Sequence, residues 1–194
     1  MSDTQKTPSK RPVRYDHSFV DRRLVIYSKP ALALIRRHFE RLDSSFLRLS
    51  NDYIWMNDEK SIASMMKERS EIITGFEVEI DDILNAYTAQ LKKYSVPIPT
   101  FDQLKPVETM DLNLHSSTSL EALRLFEKLD RIFLLLEAMK QNGLVDELAF
   151  IHACNAWKTS TGEFAKAVHA LRIRRMAQSK DRTSEKTSIP TTKP

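Results

Sequence analysis

The chain has 194 residues, enough for one domain with a buried core, and its single cysteine excludes a disulfide framework and a cysteine-based zinc site. Three glycines are too few for a glycine-rich phosphate loop or a Rossmann fingerprint, while abundant Leu, Ala, Glu, Lys and Arg predict a mainly α fold with long helices. The net charge of +4 is uneven, because residues 1–14 carry four cations and one anion, and residues 172–194 carry seven cations and two anions.

Basic ends around a mildly acidic body favour a polyanion partner, since neutralising phosphates releases counterions. Solvated tails that only keep the protein in solution are the alternative. Residues 1–17 and 178–194 are predicted to be disordered basic tails, and residues 18–177 a single helical DNA-binding domain with two strand-helix halves. Neither an export signal nor a run of about 18 apolar residues occurs, so we expect a cytoplasmic protein without membrane contact.

The first half of the domain is predicted to contain a short strand from Leu24 to Ser28, followed after Pro30 by a long helix. One face of this helix carries an apolar stripe at steps of three and four: Leu32, Ile35, Phe39, Leu42, Phe46 and Leu49. A second helix is predicted from about Asp58 to Tyr94, with a stripe of Ile73, Phe76, Ile80, Ile83, Tyr87, Leu91 and Tyr94. Its acidic residues are assigned to a solvated face rather than to paired catalytic carboxylates: Glu77, Glu79, Asp81 and Asp82.

The second half begins after an extended connector, because Pro97, Pro99 and Pro106 cannot all lie inside a helix. A strand from Met110 to Ser116 is predicted, then a helix capped by Thr118 and ended by Asn142 and Gly143. The last helix is predicted to bury Leu148, Ile151, Trp157, Phe164, Val168 and Leu171, and Cys154 is assigned to the core beside them.

The two halves share a sequence pattern where each begins. The segment from Leu24 to Leu47 is echoed by the segment from Leu112 to Leu134, at an offset of 88 that becomes 87 after a one-residue gap. Equivalent residues include the pairs Ser28 and Ser116, Arg36 and Arg124, Phe39 and Phe126, and Asp43 and Asp130. Leucine-rich helices can share such stripes by chance, but the pattern predicts two strands that each turn directly into a helix.

Two short strands must pair with each other or with a partner chain, because a lone strand leaves its backbone groups unpaired. Alternation then points Leu24 and Ile26, with Met110, Leu112 and Leu114, toward the helices. The opposite, outward set is mostly polar: Arg23, Val25, Tyr27, Asp111, Asn113 and His115. A two-stranded antiparallel ribbon has the width to enter the DNA major groove, so we predict a ribbon-helix-helix-like DNA-binding fold.

Each candidate DNA-binding residue has a chemical role in this prediction. Arg23 can donate two bonds to guanine, Asn113 can pair with adenine, and Tyr27 and His115 can supply single hydrogen bonds. Phosphates are assigned to helix starts and to basic residues: Lys29, Ser117 and the basic C-terminal segment. The alternative is that these residues are only helix caps and a solvated sheet face.

Each half contains one strand-helix block. The first is Arg23-Leu-Val-Ile-Tyr-Ser28 with Leu32 to Leu42, and the second is Met110-Asp-Leu-Asn-Leu-His-Ser116 with Leu120 to Leu136. Together these blocks resemble AcaB-like proteins of conjugative plasmids and integrative conjugative elements. The resemblance covers roughly residues 19–175. It implies a transcriptional regulator that binds promoter DNA through a ribbon-helix-helix-like unit and activates conjugative transfer genes. Helices much longer than those of a simple ribbon-helix-helix protein, and two such blocks in one chain, depart from that pattern.

The sequence therefore predicts a transcriptional regulator of double-stranded promoter DNA and not an enzyme. The five histidines lack metal-ligand spacing with Cys, Asp or Glu, so no metal, cofactor or small-molecule substrate is expected. Homodimerisation is expected, since bacterial operators commonly mirror a two-fold protein. Two alternatives stay open: a helical protein–protein interaction or assembly factor of a conjugation system, and a protein whose basic tails bind RNA.

Overall fold

The computed structural model describes residues 20–55 and 59–186. This part of the chain consists of two units, each with one strand followed by two helices. The elements are β1 (Val20–Ile26), α1 (Lys29–Trp55), α2 (Glu59–Lys93), a 3-10 turn (Phe101–Gln103), β2 (Glu108–Leu114), α3 (Ser117–Gln141) and α4 (Glu147–Lys186). The fold is thus mainly helical with a two-stranded sheet, as predicted. The predicted tail 1–17 lies outside the described residues, as do residues 187–194. Over 178–186, where we placed the start of the second tail, α4 continues as helix.

β1 and β2 form an antiparallel ribbon with Arg23 opposite Asp111 at its centre. The register runs from Val20 opposite Leu114 to Ile26 opposite Glu108, so the two strands are paired along their whole length. The sequence left open whether the strands belong to one chain. Both come from the same chain here, so one polypeptide completes the ribbon.

The second helix of each half packs against the first helix of the other half. α2 lies along α3, α4 lies along α1, and α1 contacts α3. All six apolar residues predicted for the α1 stripe are buried, which confirms that helix and its inner face. Because the helices bury their apolar faces across the two halves, one core serves both.

Two aromatic pairs join the halves, and each pair contains one ring from corresponding helices of the two halves. Phe39 of α1 and Phe126 of α3, which the repeat makes equivalent, meet edge to face with ring centroids 5.9 Å apart. Phe76 of α2 and Phe164 of α4 stack at 4.5 Å. Offset and edge-to-face rings of this kind add to the free energy gained by burying their area.

The predicted inner faces of α2 and α4 are correct in their central turns and wrong at one end. Tyr94, at the end of the α2 stripe, is 53% exposed, and Leu148 and Ile151 of α4 are 63% and 45% exposed. Leu144 and Val145 of the loop before α4 pack against the apolar cluster of Leu91, Leu135 and Met139. Periodicity alone does not show which turn of a helix first reaches the core.

The acidic residues of α2 are partly engaged with neighbouring helices. Lys128 Nζ of α3 lies 2.7 Å from Glu77 Oε1 and 2.8 Å from Asp81 Oδ1, and the Ser160 hydroxyl donates to Glu79 at 2.7 Å. Glu77 and Asp81 are half-buried, so only part of the acidic cluster is the freely solvated face that we predicted. Cys154 is half-buried against the core, as predicted, and its burial raises the pKa of the thiol.

Candidate nucleic-acid interface

The register divides the ribbon into an inner face on the helices and an outer face. Opposed residues of an antiparallel pair share a face, so Leu24, Ile26 and Leu114, which are buried, mark the inner face. The outer face consists of Asp21, Arg23 and Val25 from β1 and Thr109, Asp111 and Asn113 from β2. Five of these six residues are exposed, and Val25 is half-buried. The predicted alternation is confirmed for Leu24 and Ile26 of β1 and along β2, whereas Val20 and Arg22, on the inner register of β1, are exposed.

Arg23 and Asp111 face each other at the centre of the outer face. Arg23 Nε lies 3.9 Å from Asp111 Oδ1, and the two side chains are 74% and 87% exposed. An ion pair this exposed contributes little to stability, because water screens it. Both side chains can therefore turn toward a ligand at small cost. The outer face carries two carboxylates, Asp21 and Asp111, beside the single guanidinium of Arg23.

Tyr27 and His115, which we placed on the outer face, lie beyond the strand ends and are held by other elements. The Tyr27 ring packs 4.8 Å from that of Phe101 in the connector, and its backbone N–H donates to Asp130 Oδ2 at 2.9 Å. His115 donates its backbone N–H to Asp43 Oδ1 at 3.2 Å, and its Nδ1 contacts Asp43 Oδ2. Both residues lie outside the paired strands, which end at Ile26 and Leu114, and both are half-buried.

The ribbon ends are fastened by two buried aspartates that we did not assign to any role. Asp130 accepts the N–H groups of Tyr27 and Ser28, the latter at 2.8 Å, while Asp43 accepts that of His115. Burial raises the pKa of Asp130, and the hydrogen bonds from Ser28 and Tyr27 oppose that rise. A signal was present in the sequence, since an aspartate follows a stripe leucine at the same place in both halves.

Lys29 and Ser117, our candidate phosphate contacts, are the exposed first residues of α1 and α3. The serine before each acts as an N-cap: Ser28 Oγ accepts from the N–H of Ala31 at 3.3 Å, and Ser116 Oγ from that of Ser119 at 3.0 Å. Because the strands are antiparallel, these two helix starts lie at opposite ends of the ribbon. Free N–H groups at a helix start attract anions, and phosphate contact by Lys29 and Ser117 stays a prediction.

Thr118, the N-cap that we predicted for α3, is inside the helix and buried, and its Oγ1 finds no hydrogen-bond partner among the described residues. Ser116 caps the helix instead. Both residues suit a cap, and the choice of Thr118, which has Glu121 three residues later, misplaced the helix start by two residues.

The basic segment at the end of α4, also predicted to contact phosphates, is partly occupied within the protein. Glu68 of α2 accepts from Arg174 and lies 3.5 Å from Arg175 Nη2. The Arg175 side chain is only 12% exposed. Both guanidiniums therefore contact Glu68 of α2, and contact with phosphates stays a prediction for this segment.

The part of the chain that the structure describes holds no group of three or more His, Cys, Asp or Glu side chains arranged to bind a metal. Among its helices, none combines the length and the apolar character that crossing a bilayer requires.

No protein-family model matches the sequence, and no curated protein matches it. Among solved structures, the crystal structure of selenomethionine-containing AcaB from uropathogenic E. coli is similar, with a TM-score of 0.78 and coverage of 91% of each chain. The two sequences are 16% identical, so the likeness concerns the fold. The resemblance to AcaB-like proteins seen in the sequence is confirmed at that level: this chain has an AcaB-like fold.

Proposed function

We propose that this chain is a non-enzymatic, sequence-specific DNA-binding transcriptional regulator that reads the major groove with the outer face of its ribbon. The observation that carries the proposal is the ribbon itself: its inner face is fixed on the helices, while its outer face presents exposed Arg, Asn, Asp and Thr side chains. Polar side chains on a rigid ribbon are suited to reading base edges, which differ in their donors and acceptors.

The dimensions of the ribbon support this proposal. Two strands are narrow enough for a major groove about 12 Å wide, and seven residues at about 3.3 Å each span roughly 20 Å, or several base pairs. The starts of α1 and α3, with exposed Lys29 and Ser117, lie at the two ends and are assigned to the flanking phosphates. Tyr27 and His115 are less suited to base contact than Arg23 and Asn113. Both are half-buried, the Tyr27 ring packs on Phe101, and His115 Nδ1 contacts Asp43.

We further propose that the chain is a ribbon-helix-helix-like unit in which one polypeptide supplies both strand-helix-helix halves. The repeated element order and the packing of α2 on α3 and of α4 on α1 support this interpretation. The resemblance to AcaB-like proteins adds the expectation that the regulated promoters belong to conjugative transfer genes and are activated. Homodimerisation stays a prediction, although a second chain is not needed to complete this ribbon.

Arg22 and Arg23 provide a matched pair of variants that tests the proposal. Both are exposed and carry the same charge, but Arg22 lies opposite Leu112 on the inner register and Arg23 on the outer face. Duplexes enriched from a random library by the full-length protein would be titrated with each alanine variant at several salt concentrations. We expect Arg23→Ala to reduce discrimination against competitor DNA by about 1–3 kcal/mol, and Arg22→Ala to weaken binding to all sequences alike. Failure to enrich any sequence would contradict the proposal.

A second candidate function is protein–protein interaction, for instance as an assembly factor in a conjugation apparatus. The observation in its favour is the exposure of Leu148 and Ile151 on the first turns of α4. A Leu148→Glu substitution leaves DNA binding unchanged under the first proposal, since α4 packs on α1, α2 and α3, whereas α1 and α3 are the helices that contact the ribbon. Under the second proposal, the substitution abolishes the assembly function in the cell while the fold persists.

A further inference from the structure

The ribbon has an approximate two-fold axis through its centre that relates two strands with different outer side chains. The repeat makes Arg23 equivalent to Asp111, and the register places these two residues opposite each other. A two-fold axis between them exchanges Asp21 with Thr109 and Val25 with Asn113. Tyr27 and His115, which the repeat makes equivalent, follow the same symmetry, since they donate their backbone N–H groups to Asp130 and Asp43.

A ribbon built from two copies of one chain presents the same side chains twice, and such a protein reads a palindrome. In this chain all three pairs of equivalent outer positions differ: Asp21 from Thr109, Arg23 from Asp111, and Val25 from Asn113. The backbone is nearly symmetric, but the chemistry presented to a groove is not.

The six outer side chains fall into three layers along the ribbon, because opposed residues lie side by side. At one end Val25 faces Thr109, and both carry methyl groups that suit the methyl group of thymine. In the centre Arg23 faces Asp111, a donor for guanine O6 and N7 beside an acceptor for the amino group of cytosine. At the other end Asn113 faces Asp21, and both can accept from the amino groups of adenine or cytosine.

We propose that the ribbon reads a block of DNA without two-fold symmetry. The block has thymine at the end under Val25 and Thr109, a G·C pair under Arg23 and Asp111, and adenine or cytosine at the end under Asn113 and Asp21. This inference rests on the DNA-binding function proposed above. It also gives the two carboxylates of the outer face a role, since a carboxylate can accept a hydrogen bond from the amino group of cytosine or adenine.

The test is selection of bound duplexes from a random library by the full-length protein, followed by comparison of the enriched block with its reverse complement. A block that differs from its reverse complement and contains the central G·C pair supports the inference. If two chains bind side by side, the block is repeated in inverted orientation, and its symmetry is scored within each copy. A block that is itself palindromic overturns the inference and leaves the proposed function intact, whereas no enriched block overturns both.

Asn113→Val gives the matched variant, because it places valine at both equivalent outer positions and valine is well suited to a strand. We expect the selected block to lose its adenine or cytosine preference at the Asn113 end and to become more symmetric, with thymine at both ends. The relative affinity for the original and the symmetrised block should shift by roughly tenfold or more. An unchanged block, from a variant with the circular dichroism spectrum of the parent protein, would show that this face does not read the bases.

Discussion

Asp43 on α1 and Asp130 on α3 each accept a backbone N–H from the strand-helix junction of the other half. Asp130 binds the junction after β1 through Tyr27 and Ser28, and Asp43 binds the junction after β2 through His115. Both aspartates are buried, with 6% of Asp43 and 3% of Asp130 exposed. The orientation of the ribbon on the helices therefore depends on polar contacts that cross from one half to the other.

Asp130→Ala should destabilise the protein by about 2–3 kcal/mol, because it leaves the backbone N–H groups of Tyr27 and Ser28 without an acceptor in a buried site. Asp43→Ala should cost less, since only one backbone N–H is affected and His115 is partly open to water. Urea unfolding followed by circular dichroism measures both.

Asp82→Ala on the exposed side of α2 is the control and should change the free energy of unfolding by less than about 0.5 kcal/mol. If Asp130→Ala changes stability no more than this control, the ribbon is fixed by its apolar inner face alone. Asp130→Asn should be intermediate, since its one amide oxygen can replace only one of the two carboxylate oxygens.

The sequence predicted the elements whose pattern is local. Helix α1 buries every apolar residue of its stripe, and the alternation of β1 and β2 separated Leu24 from Arg23 correctly. These patterns work because the helical and strand periods are set by the backbone of each segment itself.

The sequence did not predict the features that depend on the other half of the fold. Tyr27 and His115 continue the alternation of their strands, but Asp130 and Asp43 hold the chain there in a turn toward the helix. The exposure of Leu148 and the pairing of Arg174 with Glu68 likewise depend on which turns of α4 meet neighbouring helices. Of these features, only the contacts of Asp43 and Asp130 were indicated by the sequence. Both halves have an aspartate beside the apolar stripe, and a charged residue needs a partner when it is buried.

Asn113→Ala should lower affinity for the selected DNA site by about 1–3 kcal/mol and leave nonspecific binding unchanged. The side chain is exposed on the outer face, so its removal costs the fold little. Fluorescence anisotropy with specific and scrambled duplexes measures the difference, and the exposed Asn85→Ala on α2 is the control. An equal loss on both duplexes would make Asn113 a contact to the DNA backbone.

Two glycines should respond in opposite directions to substitution by alanine. Gly143 ends α3 with a φ of +70°, which alanine adopts only with strain, so Gly143→Ala should destabilise by about 1 kcal/mol. Gly162 lies within α4 and an added Cβ meets nothing within 4 Å, so Gly162→Ala should stabilise by about 0.5–1 kcal/mol. Thermal or urea unfolding of the two variants gives the signs, and a loss at both positions would show that Gly162 is needed for the packing of α4.

Stability should fall on mild acidification because of His169, whose Nδ1 is buried and has no hydrogen-bond partner among the described residues. Burial, followed by the charges of Arg41 and Arg172, lowers the pKa of His169 below the usual value of about 6.5. The unfolded chain therefore takes up this proton first as the pH falls. The loss of stability begins near pH 6.5 and continues down to the lowered pKa of the folded protein, and it is absent above that range.

His38 on α1 adds to the same trend, since burial and the charges of Arg37 and Arg41 lower its pKa too. We expect His169→Leu to flatten part of the fall in the urea midpoint between pH 7.5 and pH 5, and the double variant with His38→Leu to flatten more of it. His152→Leu, at an exposed position of α4, controls for the loss of a histidine. If the urea midpoint falls as steeply in the double variant as in the parent protein, groups other than His169 and His38 cause the acid sensitivity.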